Sequence, residues 1–338
     1  MSRSLRRHSV TLKDVANATG FSVSTVSRAL SNNPIIPEST REIVHAAAKE
    51  LHYRPNAQAQ ALRNQRTNIL GVLVPDIAHP FFTSLAARIQ RRAHAVGFSA
   101  LLSNTEENAI DLDNAIEFMG NQRVDGLIVV PHRDSFTTIQ DFVQGGTPVV
   151  TVDRDVPDSH IPSITSDPMP AMEEALVVLA ENGVLVGYLS GPMDTSTGEQ
   201  RLETAKQVCA KHNIELSYIA EGGHKIEDGR RGTAALLDAG VRAILTGDTL
   251  MTFGAIQEIN SRGMRVGRDV ALVGFDESPM LSLLETPLTT IDQQVSKIAD
   301  AAFDNLRHMI IENSTPNNVV IPTILHKRKS HAFINEEA

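Results

Sequence analysis

The sequence predicts a small all-α head of short helices, followed by an α/β body of two doubly wound parallel-sheet lobes. Three observations predict it. The first 55 residues show short apolar stripes at helical spacing and no strand pattern. From Asn68 onward, continuous apolar runs alternate with amphipathic stretches, the pattern of strands buried on both faces between covering helices. That rhythm restarts after Asp167, so the sheet-and-helix plan is used twice. At 338 residues, 41% hydrophobic and 21% charged, the chain can bury more than one core, and disorder or a collagen-like structure is excluded as a global description.

In the head, Thr11 and Asp14 form a helix-start signal ahead of Val15 and Ala16. Thr19-Gly20-Phe21 breaks that helix, and Ser22 caps a second one over residues 23–30. Its Val26, Ala29 and Leu30 share an inward face, while Ser24, Thr25 and Arg28 lie on another. A third helix is expected from near Pro37 to about His52, with Ile43, Val44, Ala47 and Leu51 inward, stopped by Arg54-Pro55. Residues 56–66 have high helix propensity but only Leu62 as a large apolar side chain, so this linker needs an outside surface to fold against.

In the body, strands are expected at 69–74, 100–102, 126–130 and 149–152, with helices near 80–95, 108–121 and 135–144 between them. The second round places strands near 184–190, 216–219, 243–246 and 270–275, and helices near 168–182, 197–212, 226–239 and 248–262. A strand at 289–291, a helix at 294–311 and a strand at 319–325 are too few for a third domain and complete the two lobes by crossing between them. Ligands of such lobes belong at the carboxyl ends of the strands.

The apolar runs at 69–74 and 184–189 are far shorter than the roughly 20 residues of a membrane helix. Arg3, Arg6 and Arg7 are followed by the polar run 11–14 instead of an apolar segment, which leads to the expectation of a cytoplasmic protein without a secretory signal. The single cysteine, Cys209, falls in a helix pattern and reads as a buried small apolar residue. Charge is uneven: residues 1–66 carry ten Lys or Arg against four Asp or Glu, so a basic head precedes a body that makes the whole chain −9. Such a head suits a polyanionic partner.

Reading DNA with a helix-turn-helix requires a second helix that presents short polar groups and an arginine to base edges, held by a first helix across a tight turn. The run from Val10 to Asn32 supplies each part, and it resembles the lactose-repressor (LacI/GalR) family of bacterial regulators. The resemblance continues through residues 38–51, the Tyr53-Arg54-Pro55-Asn56 junction and both lobes, which look like type I periplasmic binding proteins. It implies a helix-turn-helix domain at 1–55, a hinge helix at 56–66 and an effector-binding and dimerisation domain at 67–338. Within the last, one lobe would be about 67–166 with 294–321, the other about 167–293 with 322–338.

Carried onto matching positions, the resemblance makes Val23, Ser24 and Arg28 base-facing, with Arg28 the fork that fits the two acceptors of a guanine edge. Lys13, Thr25, Ser27 and Asn32 would meet phosphates, and Leu62 would wedge into the minor groove of a pseudo-palindromic operator. Gln60 stands where the family usually has Arg. In the body, Asp153, Asp248 and Asp276 follow strands and Arg201 follows Ser190-Gly-Pro192, a set that accepts from and donates to the hydroxyls of a small sugar. His79-Pro80-Phe81-Phe82 resembles the family segment that supplies a ring-stacking aromatic, here Phe82; Thr197 and His224 complete the implied effector set.

Purine-responsive relatives place Arg at the position of Thr195, so its absence here points away from a purine. The Asp, Arg, Asp set most resembles the ribose-responsive branch, and His224 with Lys225 could instead hydrogen-bond a larger ligand such as a nucleoside. Departures fall at residues 181–184, where the family commonly has Gly-His, and at Pro168 and Pro170. The implied protein is a homodimeric repressor of double-stranded DNA controlled by ribose or a ribose-containing nucleoside, with another sugar or a purine as the alternative effector. No catalytic residue, metal, cofactor or membrane partner is implied. A nucleotide-using enzyme is the competing class, but neither Gly-x-Gly-x-x-Gly nor Gly-x4-Gly-Lys-Ser/Thr occurs. A sugar-binding transport receptor, the other alternative, leaves the basic head unexplained.

Overall fold

The chain divides into two units at Thr67/Asn68, and the described residues of the first form three helices. The computed structural model describes residues 10–54 and 66–333; Gln60, Leu62 and the hinge helix expected at 56–66 therefore lie outside the described residues, Arg66 excepted.

Helix α1 (Leu12–Thr19) starts on a capping box in which the Thr11 N–H donates to Asp14 Oδ2 at 2.8 Å and the Asp14 N–H returns to Thr11 Oγ1. It ends at Gly20, whose φ of 73° lets its N–H reach back to the Ala16 carbonyl. Ser22 caps α2 (Val23–Leu30) through Thr25 N–H at 3.1 Å, and α3 (Glu38–Glu50) lies across both. Val15, Ala16, Val26, Ala29, Ile36, Val44 and Ala48 make the core. One expected core residue fails: Ile43 is 51% exposed, because the inward stripe of α3 runs through Val44 and Ala48.

The second unit holds two six-stranded sheets. The first contains β1 (Ile69–Val74), β2 (Ser99–Asn104), β3 (Gly126–Val129), β4 (Val149–Val152), β5 (Ser163–Asp167) and β11 (Val319–Pro322), in the order β11-β5-β4-β3-β1-β2, all parallel. Its connecting helices are α4 (Pro80–Ala95), α5 (Ala109–Asn121) and α6 (Phe136–Gln144). The second contains β6 (Val186–Leu189), β7 (Leu216–Ala220), β8 (Ala243–Thr246), β9 (Ala271–Phe275), β10 (Thr289–Asp292) and β12 (Ile324–His326), in the corresponding order β12-β10-β9-β8-β6-β7. Helices α8 (Ser196–His212), α9 (Ile226–Asp238) and α10 (Thr249–Ser261) connect its strands. Each sheet is sandwiched between two apolar clusters, one per face.

Two expectations need correction here. Strand β5 was not expected, since Ser163-Ile-Thr-Ser-Asp167 contains a single large apolar residue. It pairs with β4 and β11, whose backbone groups it satisfies. The strand expected at 319–325 is two strands in different sheets, divided at Thr323, and β12 runs antiparallel to β10, so the second sheet is not wholly parallel.

The chain passes between lobes three times: after β5 into α7 (Met169–Ala180), after β10 into α11 (Val295–Glu312), and at Thr323. The passages are tied together. The Thr323 N–H donates to the Asp167 carbonyl, Ala171 N–H donates to Thr323 Oγ1, and Gln294 Nε2 donates to the Pro322 carbonyl at 2.5 Å. Pro168 and Pro170 suit the start of α7, where a missing N–H costs nothing. Asn182, at the end of that helix, donates to the His331 carbonyl and accepts from Phe333 N–H, pinning the C-terminal segment to the second lobe.

Candidate nucleic-acid interface and ligand cleft

In the first unit, the face of α2 opposite its core carries Val23, Ser24 and Arg28, all exposed, Val23 by 44% despite being apolar. Lys13 is also exposed, whereas Thr25 and Ser27 are half-buried. The hydroxyls of Ser24 and Thr25 lie 2.9 and 2.8 Å from Ser22 Oγ, so the cap orients them. Asn32, at φ 55°, meets His45 Nε2 through its Oδ1 and accepts Arg41 on its carbonyl, which ties the end of α2 to α3.

In the second unit, the carboxyl ends of both sheets line one cleft. All seven residues expected there, Phe82, Asp153, Thr197, Arg201, His224, Asp248 and Asp276, line it. Asp153 and Asp276 are topological counterparts: one follows β4, the other β9, and these strands hold the same place in their sheets. Both adopt the left-handed conformation, with φ of 66° and 67°, which turns each carboxylate sharply off its strand end. Asp276 is held by Gln293 Nε2 at 2.5 Å and by the Thr249 hydroxyl; Ser166 Oγ in turn donates to Gln293 Oε1 at 2.6 Å. The Asp153 carboxylate has Arg154 Nε at 3.7 Å. Burial pushes its pKa up, more than the Arg154 and Arg201 guanidiniums pull it down.

Arg201 is buried beside them, its guanidinium 4.0 Å over the Phe275 ring and one Nη donating to the Gly247 carbonyl at 2.9 Å. Its helix α8 is capped by Thr195, which accepts from Gly198 N–H at 3.1 Å; a Cβ on Gly198 would stand 1.9 Å from the Pro192 carbonyl, so the turn requires glycine. Thr197 meets the Thr195 hydroxyl at 3.2 Å.

Phe82 is packed edge-on by Phe81 and lies 5.2 Å from the His79 ring. His79 is an interlobe residue: Nδ1 accepts from Phe81 N–H at the start of α4, and Nε2 lies 3.4 Å from Asp248 Oδ2 in the other lobe. Burial opposes charging the imidazole most, but the hydrogen bond it donates to Asp248 and the charges of Asp248, Asp276 and Asp153 together hold its pKa above the usual value. Asp248 caps α10 through Leu250 N–H at 2.7 Å, and despite burial His79 and Arg201 hold it below the usual carboxylate range. Donor atoms of His79, Asp248 and Asp276 lie within 4.8 Å of one another. With Nδ1 capping a helix and the Nε2 proton facing a carboxylate, however, the imidazole has no lone pair to give a cation.

A second charged wall was not anticipated. Arg154 pairs bidentately with Glu107 at 2.6 and 2.8 Å, Glu107 lies 3.8 Å from His224 Nδ1, and His224 Nε2 lies 3.0 Å from Asp194. The sequence reading also missed His79 and Gln293; an Asp-Arg pair at a strand end was the one local signal that would have pointed to Arg154. Cys209 is buried, its thiol pushed up to about 11 by burial, consistent with a packing role.

Comparison with known proteins follows the same division. Residues 11–56 match the model of bacterial regulatory proteins of the lacI family, and residues 67–335 match that of periplasmic binding proteins and the sugar-binding domain of the LacI family. The ribose operon repressor of Escherichia coli K12 is 30% identical over 310 residues, covering 89% of this chain and 93% of that protein. Catabolite control protein A of Priestia megaterium is 27% identical, covering 95% and 99%. The lac repressor dimer bound to operator and the anti-inducer ONPF superposes with a TM-score of 0.86 at 28% identity, covering 96% and 99%. These proteins are regulators rather than enzymes, and among the described residues no helix is long and apolar enough to cross a membrane. The chain belongs to the LacI family of DNA-binding transcriptional regulators.

Proposed function

We propose that this protein is a cytoplasmic, homodimeric repressor that holds a pseudo-palindromic operator until ribose, or a ribose-containing nucleoside, enters the cleft. The observation that carries the reading is the mirrored pair Asp153 and Asp276 with Arg201 between the lobes and Phe82 beside them. Two carboxylates accept from hydroxyls, the guanidinium donates in a fork, and the Phe82 ring covers the apolar face of a sugar. The ribose operon repressor among the relatives supports the same choice. A phosphorylated sugar fits less well: Asp153, Asp248 and Asp276 would face its phosphate, and Arg154 is already occupied by Glu107.

On the DNA side, Arg28 reads a guanine, Val23 and Ser24 contact neighbouring bases, Lys13, Thr25, Ser27 and Asn32 engage phosphates, and Leu62 wedges at the operator centre. The head at 1–55, the linker at 56–66 and the body at 67–338 divide these tasks. Because one ligand changes the affinity for the other, operator and effector binding are reciprocally coupled. The test is a gel shift of the full chain on DNA from its own promoter, with and without ribose, for the parent and Arg28→Ala. The parent should shift and be released by ribose, and Arg28→Ala should lose about 1 to 3 kcal/mol of operator affinity. An unreleased parent, or an Arg28→Ala protein with the parent's sequence preference, contradicts the reading.

A further inference from the structure

Behind the cleft lies a second, smaller cavity, lined by Pro131, His132, Arg133 and Phe136 of one lobe and by Asp194 to Ser196 of the other. Glu107, Arg154 and Thr195 border both spaces. We infer that the Glu107–Arg154 ion pair is a partition that restricts the effector to a single sugar ring and shuts off a second-ring subsite floored by Phe136. The inference rests on the sugar reading above and selects ribose over a nucleoside within it.

The pair is built to stay shut. Its side chains are only 17% and 9% exposed, and the two N–H···O bonds are parallel and charge-assisted, so rotating either residue away would break both at once. Arg154 Nη1 also reaches the Pro131 carbonyl at 3.4 Å. Glu107 is carried on a turn in which both it and Glu106 have positive φ, 50° and 52°, an arrangement that costs free energy in non-glycine residues and persists where surrounding contacts enforce it. Those contacts come from both lobes, since His224 lies against Glu107 and Asp194 against His224. The partition therefore joins the lobes as well as dividing the space between them. On its far side, the half-buried Phe136 ring and the His132 imidazole offer the stacking and polar groups that a nucleobase would use, beside an Arg133 guanidinium that pairs with Glu199 at 3.1 Å.

The experiment measures ribose and uridine affinities by titration calorimetry on the full chain, for the parent, Glu107→Gly and Glu107→Gln. Glycine accepts the positive φ without strain, and the melting of each unliganded protein verifies folding. The parent should bind uridine at least about tenfold more weakly than ribose, Glu107→Gly should narrow that ratio by about tenfold, and Glu107→Gln, which keeps the bulk, should stay near the parent's ratio. Equal binding of both ligands by the parent, or an unchanged ratio in Glu107→Gly, overturns the partition while leaving the sugar reading standing. Failure of all three folded proteins to bind either ligand overturns both.

Discussion

The two lobes repeat one strand order, yet they treat their matching carboxylates differently. Asp276 in the second lobe accepts one hydrogen bond on each oxygen from the protein, from Gln293 in the interlobe connection and from Thr249 at the start of α10, and each oxygen keeps a further lone pair for a ligand. Asp153 in the first lobe shares the burial and the left-handed backbone, but among the described residues no hydrogen bond reaches its carboxylate, and Arg154 at 3.7 Å is already given to Glu107. Symmetry of fold therefore does not carry over to symmetry of energy: one carboxylate is oriented in advance by protein donors and presents its remaining lone pairs to the cleft, the other depends wholly on what enters. A buried charge without hydrogen bonds is costly, and that cost becomes available to a ligand whose hydroxyls remove it.

The largest effect that distinguishes the two is on the unliganded protein. In Asp276→Asn the amide nitrogen must face either Gln293 Nε2, donor against donor, or the Thr249 hydroxyl, which must then turn from donor to acceptor, and both charge-assisted bonds are lost, so stability should fall by about 1 to 3 kcal/mol. Asp153→Asn removes a charge that the fold disfavours and should melt at or above the parent's temperature at neutral pH. If denaturant titrations show equal losses for both, the lobes are alike and the comparison fails.

A smaller effect refines it through pH. The folded-state pKa of Asp153 is raised, so on going up in pH the unfolded chain ionises first and the fold loses stability until the folded pKa is passed. Below the ordinary value of 3.8 both states are protonated and the term vanishes. The advantage of Asp153→Asn over the parent should therefore be absent in acid, grow as pH rises through the carboxylate range and then level off. Melting curves at a series of pH values check this; an advantage that shrinks with rising pH would mean that Arg154 and Arg201 more than compensate the burial.

Much of this was legible in the sequence, for identifiable reasons. Ile69–Val74 and Val149–Val152 are apolar runs that only a doubly covered strand can bury, and the Thr11–Asp14 and Ser22 caps mark the helix starts of the head by local chemistry alone. β5 escaped because it is mostly Ser, Thr and Asp, made a strand by its neighbours instead of by its own side chains. Ile43 was misplaced because adjacent apolar residues on α3 compete for one inward stripe and only the tertiary fold decides. The cleft shows the same contrast. Asp153, Arg201 and Asp276 sit at strand ends or early helix turns, where sequence position predicts direction. Glu107 and His224 meet across the lobes from loops 117 residues apart in the chain, a pairing with no local trace.

In the proposed function, the carboxylates of this cleft hear the signal that the head obeys. The most direct test is an operator titration of the parent and Asp276→Asn against ribose, with each protein first confirmed to bind DNA in the absence of sugar. A charge-assisted hydrogen bond is worth roughly 1.5 to 3 kcal/mol, so Asp276→Asn should require about 10- to 100-fold more ribose to release the operator. Release of both proteins at the same ribose concentration, or tightening of the parent on DNA by ribose, would contradict it.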